Sequence, residues 1–169
     1  EHTPAGAVAE MITPLVQGNA MGVISEAGCP AVADPGALLV AEAQRRGLPV
    51  VPLVGPSSIL MSLMGSGFNG QQFTFHGYLP IEGHARTKAI REMERAAARG
   101  VTQIFIETPY RNNRLLAELS ATLAPATRVC VASDVTGPAE SIVTLTAADW
   151  KKRKYDYAKI PTIFLIGTV

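Results

Sequence analysis

Two cysteines, three histidines and one tryptophan are all that the 169 residues hold of those types, and aromatic residues make up only 6% of the chain. Cys29 and Cys130 are too few and too far apart for the disulfide frameworks of small secreted domains, so a reducing, cytoplasmic setting is the expectation. His2, His76 and His84 show no paired spacing with one another, with the cysteines or with carboxylates, so no metal site is expected. No apolar run reaches the roughly 18 residues of a membrane span, and no charged-then-apolar leader is seen, so no membrane association is expected. Internal repeats and low-complexity tracts are missing too. Cys29 has no histidine near it in sequence, and reads as a small residue facing a ligand rather than as a nucleophile.

What the chain has is apolar content, 47% of residues with a mean hydropathy of +0.19, enough to bury a core as one domain or two small ones. Ala5 to Gln17 has a helical pattern, and Met21–Ile24 reads as a strand. It runs into Ser25-Glu26-Ala27-Gly28-Cys29-Pro30-Ala31-Val32-Ala33-Asp34-Pro35-Gly36, a loop whose glycines and prolines fix a turn without filling it. Asp34 is a candidate N-cap with Pro35 at the first helical position, ahead of a helix that Gly47 ends. Pro49 to Val54 reads as a second strand, ending in Gly55-Pro56-Ser57-Ser58 and again opening a helix. The two loops are thus expected to end neighbouring strands on one side of a parallel sheet, where open α/β folds place ligands.

Beyond them the pattern divides the chain into an α/β lobe over 1–54, a connecting helix and glycine-rich linker over 55–70, and a second α/β lobe over 71–169. Strands are expected at Phe73–Tyr78, Val101–Glu107, Arg128–Ser133, Glu140–Leu145 and Thr162–Thr168. Helices are expected from about Ala85 to Arg99 and from Asn112 to Leu123, and the strands on either side of Thr136-Gly137-Pro138 should pair antiparallel. Charge is uneven: residues 1–70 carry 2 Lys and Arg against 5 Asp and Glu, residues 71–169 carry 13 against 9. Arg86, Lys88, Arg91, Arg95 and Arg99 interleave with Glu82, Glu92 and Glu94 as on a solvated helix face. The cluster Lys151-Lys152-Arg153-Lys154 fits either a solubilising turn or a contact to a phosphate-rich substrate. His76 reads as a strand-end histidine lining the cleft between lobes.

The first loop, Gly55-Pro56-Ser57-Ser58, and Phe105-Ile106-Glu107-Thr108-Pro109-Tyr110-Arg111 resemble, in order and spacing, the three landmarks of the tetrapyrrole methylase family, the class III S-adenosylmethionine-dependent methyltransferases. The likeness is greatest to the branch of ribosomal RNA small-subunit methyltransferase I. It extends over nearly the whole chain, with Glu26, Cys29, Val32, Ala33, Thr108 and Tyr110 departing from that branch's pattern. The basic run usual in that branch is replaced by Ala132-Ser133-Asp134-Val135-Thr136-Gly137.

The resemblance implies two α/β lobes with a ligand cleft between them, the first lobe truncated before Glu1. It implies S-adenosylmethionine as cofactor, RNA as a possible substrate methylated on a ribose 2′-oxygen, and a homodimer. Carried over by position, Ser25, Gly28, Cys29, Pro30, Val32, Ser57 and Ser58 would contact the cofactor from the first two loops, and Ile106, Glu107, Pro161, Thr162 and Ile163 from the second lobe. No catalytic residue is assigned; Glu26, Glu107 and Asp34 are the nearest carboxylates, and Asp34 reads first as a cap. A methyltransferase for a tetrapyrrole or other small molecule, and a non-catalytic cofactor-binding module, remain alternatives.

Overall fold

The computed structural model describes residues 5–25 and 28–168, and the chain divides into two compact units, Glu1–Ser57 and Ser58–Val169. In the first, the helix expected over 5–17 is broken into α1 (Ala5–Met11) and α2 (Thr13–Val16). The break comes from Pro14, which lacks an N–H and clashes with the preceding turn, so it sits in the first turn of a new helix. Helix α3 (Ala37–Arg45) packs on α1, burying Val8 and Ile12 with Ala43. Gly47, at φ +67°, closes α3 as expected: its N–H donates to Gln44 O and the Leu48 N–H to Ala43 O.

The two strands expected in this unit do not form among the described residues. Met21–Ile24 and Pro49–Val54 are irregular, with Ile24 92% and Leu53 88% exposed. An apolar β-branched run becomes a strand only when a neighbouring backbone completes its ladder, and neither segment has such a partner here. The parallel sheet expected beneath the two loops is therefore not observed among the described residues.

The second unit follows its sequence pattern closely. After α4 (Ser58–Ser66) come β1 (Phe73–Tyr78), α5 (Gly83–Ala97), β2 (Thr102–Ile106), a short 3-10 turn at Pro109–Arg111, α6 (Asn112–Thr122), β3 (Arg128–Ser133), β4 (Ser141–Thr146), α7 (Ala147–Lys152) and β5 (Thr162–Gly167). The sheet order is β1-β2-β5-β3-β4, with β1 and β2 parallel, the remaining pairs antiparallel, and β3 and β4 joined as the turn residues predict.

The central strands are unbroken apolar runs because both faces of the sheet are covered. Phe105, Phe164, Val129, Val131 and Ile166 pack with Leu115, Leu116 and Leu119 of α6 and Trp150 of α7. Alternate residues Ile104, Leu165, Cys130 and Ala132 face the other way, onto Leu63 of α4 and Phe68. Residues 65–70 belong to this unit: the Asn69 N–H donates to Thr168 O and its side-chain amide to Gly100 O at 2.7 Å. Gly65 permits the close approach of α4 to β4, since a Cβ there would lie 2.6 Å from Ile142 Cδ1.

The two thiols differ sharply. Burial pushes the Cys130 thiol up to about 11, a Thr144 hydrogen bond offsetting only part of it, while Cys29 is half-buried. One thiol per chain is expected to react rapidly with an aromatic disulfide reagent at neutral pH and the second only after unfolding; two fast thiols would contradict the packing of β3. Because the folded thiol holds its proton above the unfolded value of 9.0, this contribution to stability is complete below pH 9 and is lost between pH 9 and about 11. A Cys130→Ala variant should lose less stability over that interval than the parent in urea titrations.

Candidate functional site

The first loop is shaped by its backbone. Gly28, Ala31, Ala33 and Gly36 have φ of +81°, +67°, +54° and +131°, so four of nine consecutive residues are left-handed and two of them carry a Cβ. A non-glycine residue in that region costs about 1–2 kcal/mol, and such strain collects where a loop is held for a purpose. The turn is fixed by the Ala31 N–H donating to Pro35 O and the Val32 N–H to Cys29 O, both 3.2 Å. These bonds delay the helix, so α3 starts at Ala37 with Gly36 as a cap that makes no side-chain bond. Asp34 is accordingly not the N-cap, nor Pro35 the first helical residue. Asp34 instead lines, with Ser25, Val23, Ile24 and Leu38, a cavity of about 690 Å³, within the range of small-ligand sites.

Of the residues assigned to this loop, Ser25 and Cys29 are half-buried, Gly28, Pro30 and Val32 are exposed, and Glu26 lies outside the described residues. The Cys29 Sγ donates to Pro56 O at 3.7 Å, an ordinary length for sulfur, and so ties the first loop to the second. A Cβ built on Gly28 meets nothing within 4 Å, which leaves its backbone open to a ligand. Ser57 ends the first unit and Ser58 opens α4; both are half-buried.

In the second unit the remaining assigned residues lie together at one end of the sheet. Ile106 of β2 and Ile163 of β5 are register partners, Thr162 pairs with Ser133 of β3, and the Asp134 N–H donates to Pro161 O at 3.0 Å. Glu107, just past β2, is buried, and its carboxylate is enclosed by donors. Oε1 accepts from the Thr108 N–H at 2.7 Å and from Arg111 Nη2 at 2.9 Å, while Arg86 Nη2 stands 3.6 Å from Oε2. A carboxylate so engaged anchors a strand end.

Arg86 is 4% exposed and does not belong to a solvated helix face. Its Nε donates to Pro80 O at 2.7 Å and its Nη1 to Glu118 Oε2 at 3.0 Å, so one guanidinium joins the turn before α5, the end of β2 and helix α6. Lys88, Arg91, Arg95 and Arg99 are exposed as expected. His76 is exposed on β1 and its Nε2 pairs with Gln103 Oε1 at 2.7 Å. Among the described residues no cluster of His, Cys, Asp or Glu could hold a metal ion.

Three features escaped the sequence reading. Arg111, four residues after Glu107, was open to an (i, i+4) argument, whereas Arg86 meets Glu107 only through the tertiary fold. Nothing about alanine announces left-handed backbone at Ala31 and Ala33. Helix α7 did leave a mark in the Thr146-Ala147-Ala148-Asp149 spacing: Thr146 Oγ1 caps the helix by accepting from the Asp149 N–H and donates to its carboxylate.

Comparison with known proteins places this geometry in a family. The family model described as Tetrapyrrole (Corrin/Porphyrin) Methylases matches residues 2–150. Ribosomal RNA small subunit methyltransferase I of Vibrio cholerae is 30% identical over 149 residues, covering 88% of this chain and 51% of that protein. The protein of the same name from Xylella fastidiosa is 32% identical over 158 residues, covering 89% and 57%. The chain thus spans about half the length of the curated relatives it matches. Among solved structures, the methyltransferase CobJ superposes with a TM-score of 0.67 at 18% identity, covering 99% of this chain and 72% of that one. A uroporphyrin-III C-methyl transferase from Thermus thermophilus, complexed with S-adenyl homocysteine, gives 0.50 at 20% identity, covering 83% and 62%. At these identities the likeness is one of fold.

Proposed function

Since the chain belongs to the tetrapyrrole (corrin/porphyrin) methylase family, we propose that it serves methyl transfer from S-adenosylmethionine to small-subunit ribosomal RNA, at a ribose 2′-oxygen. The observation that carries the cofactor reading is the left-handed loop from Gly28 to Gly36, tied through Cys29 to Pro56 and open at Gly28. A loop of small residues held against its own preference presents backbone where a side chain would stand in the way, and such a surface fits a ligand of mixed polar and apolar character. The identity to ribosomal RNA methyltransferases supports the substrate.

S-adenosylmethionine brings its own leaving group on a sulfonium, so the protein needs no triad and supplies positioning and desolvation. In this reading Ser25, Gly28, Cys29, Pro30, Val32, Ser57 and Ser58 hold the cofactor from the loops. Ile106, Glu107, Pro161, Thr162 and Ile163 contribute from the sheet end, with Arg86 and Arg111 fixing Glu107 in place. No residue is assigned as base, and a cytoplasmic homodimer is part of the same proposal.

Calorimetric titration of S-adenosylmethionine into the full protein tests the cofactor. Micromolar binding, about −8 kcal/mol, is expected. Gly28→Asn keeps the left-handed backbone, which asparagine tolerates, while filling the approach, and is expected to weaken binding at least tenfold with an unchanged circular dichroism spectrum. Unchanged affinity in the variant would remove the loop from the site, and absence of binding by the parent protein would overturn the cofactor reading.

A further inference from the structure

The second unit carries a basic concavity that the proposed cofactor residues do not use. Between α6 and the segment from α7 to Tyr155 lies a groove of about 640 Å³, with Lys151, Arg153 and Lys154 on one side and Ala117, Ser120 and Ala121 of α6 on the other. All three cations are exposed, and among the described residues none forms an ion pair. The two acidic residues nearest in sequence are occupied elsewhere: Asp149 bonds Thr146 in the α7 cap, and Asp156 accepts from Asn113 and from the Ala158 N–H. Glu118 of α6 is paired with Arg86 and Arg114. Compensation of the helix end accounts for Lys151 and Lys152 in the last turn of α7, but Lys154 lies past the helix.

The walls of this groove are fixed. Trp150 is fully buried, its Nε1 donates to Val129 O at 2.9 Å, and the Arg153 guanidinium lies 5.6 Å from the centre of its ring. Tyr155 stacks on Tyr157 at 5.9 Å and meets Trp150 edge-on at 6.0 Å. Positive charge along one side, an aromatic ring beside it and small residues opposite form the combination that tracks a single-stranded nucleic acid: cations for phosphates, apolar floor for ribose or base. The basic face of α5 offers no such shape, since Lys88, Arg91 and Arg95 stand exposed along one helix beside Glu92, with Arg99 just past its end.

We propose that the groove between α6 and α7 docks the phosphodiester backbone of single-stranded RNA, with Lys151, Arg153 and Lys154 as its phosphate contacts. This rests on the reading of RNA as substrate and adds where the strand is held.

The test is fluorescence anisotropy of a labelled single-stranded RNA with the full protein across a salt series. K151E/K154E is expected to bind at least tenfold more weakly, with the salt slope reduced by about 1.4, roughly 0.7 for each lost contact to a single strand. R91Q/R95Q should remain within about twofold of the parent, as expected of exposed cations that do not contact the strand. Unchanged affinity and slope in K151E/K154E would overturn the proposal, as would an equal loss in the α5 variant or equally tight binding of duplex DNA. S-adenosylmethionine titration of the same proteins separates the two readings. A groove variant that keeps cofactor affinity while losing RNA supports the proposal, whereas a parent that binds RNA through the groove but no cofactor overturns the methyltransferase reading alone.

Discussion

Replacing Arg86 by methionine is expected to cost about 3–5 kcal/mol of stability in the second unit, the range found when one member of a buried ion pair is removed. Arg86 and Glu107 are among the few charged side chains here that are almost wholly enclosed, and the guanidinium also satisfies Pro80 O and Glu118. Methionine keeps most of the volume but leaves Glu107 with Arg111 as its one cationic partner, and leaves the Pro80 carbonyl without the Nε donor. Urea denaturation gives the measurement, and a loss below about 1 kcal/mol would mean that the network is not worth what buried pairs usually are. Adding Glu107→Leu should recover part of the loss, because removing both charges abolishes the uncompensated one. If the double variant is instead as unstable as the two single losses summed, Arg86 acts through the carbonyls and Glu118 rather than through Glu107.

Trp150→Ala is expected to have an effect of similar size, about 3–5 kcal/mol for emptying the volume of a large buried aromatic. Trp150 is the chain's single tryptophan, it is 0% exposed, and it joins α7 to β3 through the Val129 carbonyl while carrying Tyr155, Tyr157 and Arg153 on its ring. Trp150→Phe keeps much of the packing but removes the Nε1–H bond to Val129 O, a carbonyl that also faces β4 in the sheet ladder, so the hydrogen-bond loss is about 1 kcal/mol. Thermal unfolding followed by circular dichroism should therefore rank the parent above Trp150→Phe and both above Trp150→Ala. Equal melting of the two variants would assign the whole effect to the hydrogen bond.

How legible these features were depended on what kind of force sets each one. Strands β1 and β3 begin and end where the sequence places them, at Phe73–Tyr78 and Arg128–Ser133, because apolar runs bounded by glycine, proline and polar residues leave little choice of register. Helix α5 starts two residues early because Glu82 takes the capping role: its carboxylate accepts from the His84 and Ala85 N–H groups, which hold its pKa below the ordinary value. The apolar runs at Met21–Ile24 and Pro49–Val54 look equally like strands, yet a ladder needs a partner that a local pattern cannot supply. In the candidate site the glycines of the first loop were readable as left-handed positions, and the family landmarks pointed to the ends of β2 and β5. The alanines that share the left-handed backbone, and the arginine that reaches Glu107 from another helix, are set by tertiary closure and leave no local signature.

The order β1-β2-β5-β3-β4 puts the strand that is made last in the middle of the sheet. While the chain emerges from a ribosome, β1 can pair with β2 and β3 with β4, but the two halves share no hydrogen bond until Thr162–Gly167 arrives to pair with Gln103–Ile106 on one side and Arg128–Ser133 on the other. Ile104, Phe105, Cys130 and Val131, all fully enclosed in the finished unit, are flanked by an open edge until then. Between the completion of β4 at Thr146 and the arrival of β5 at Thr162 the nascent chain thus carries two half-sheets with open edges, and the closing strand also brings Thr162 and Ile163, with Pro161 before them, to the sheet end. Placement of the proposed cofactor residues at that sheet end and closure of the sheet are therefore a single event, and a chain stopped short of β5 lacks both.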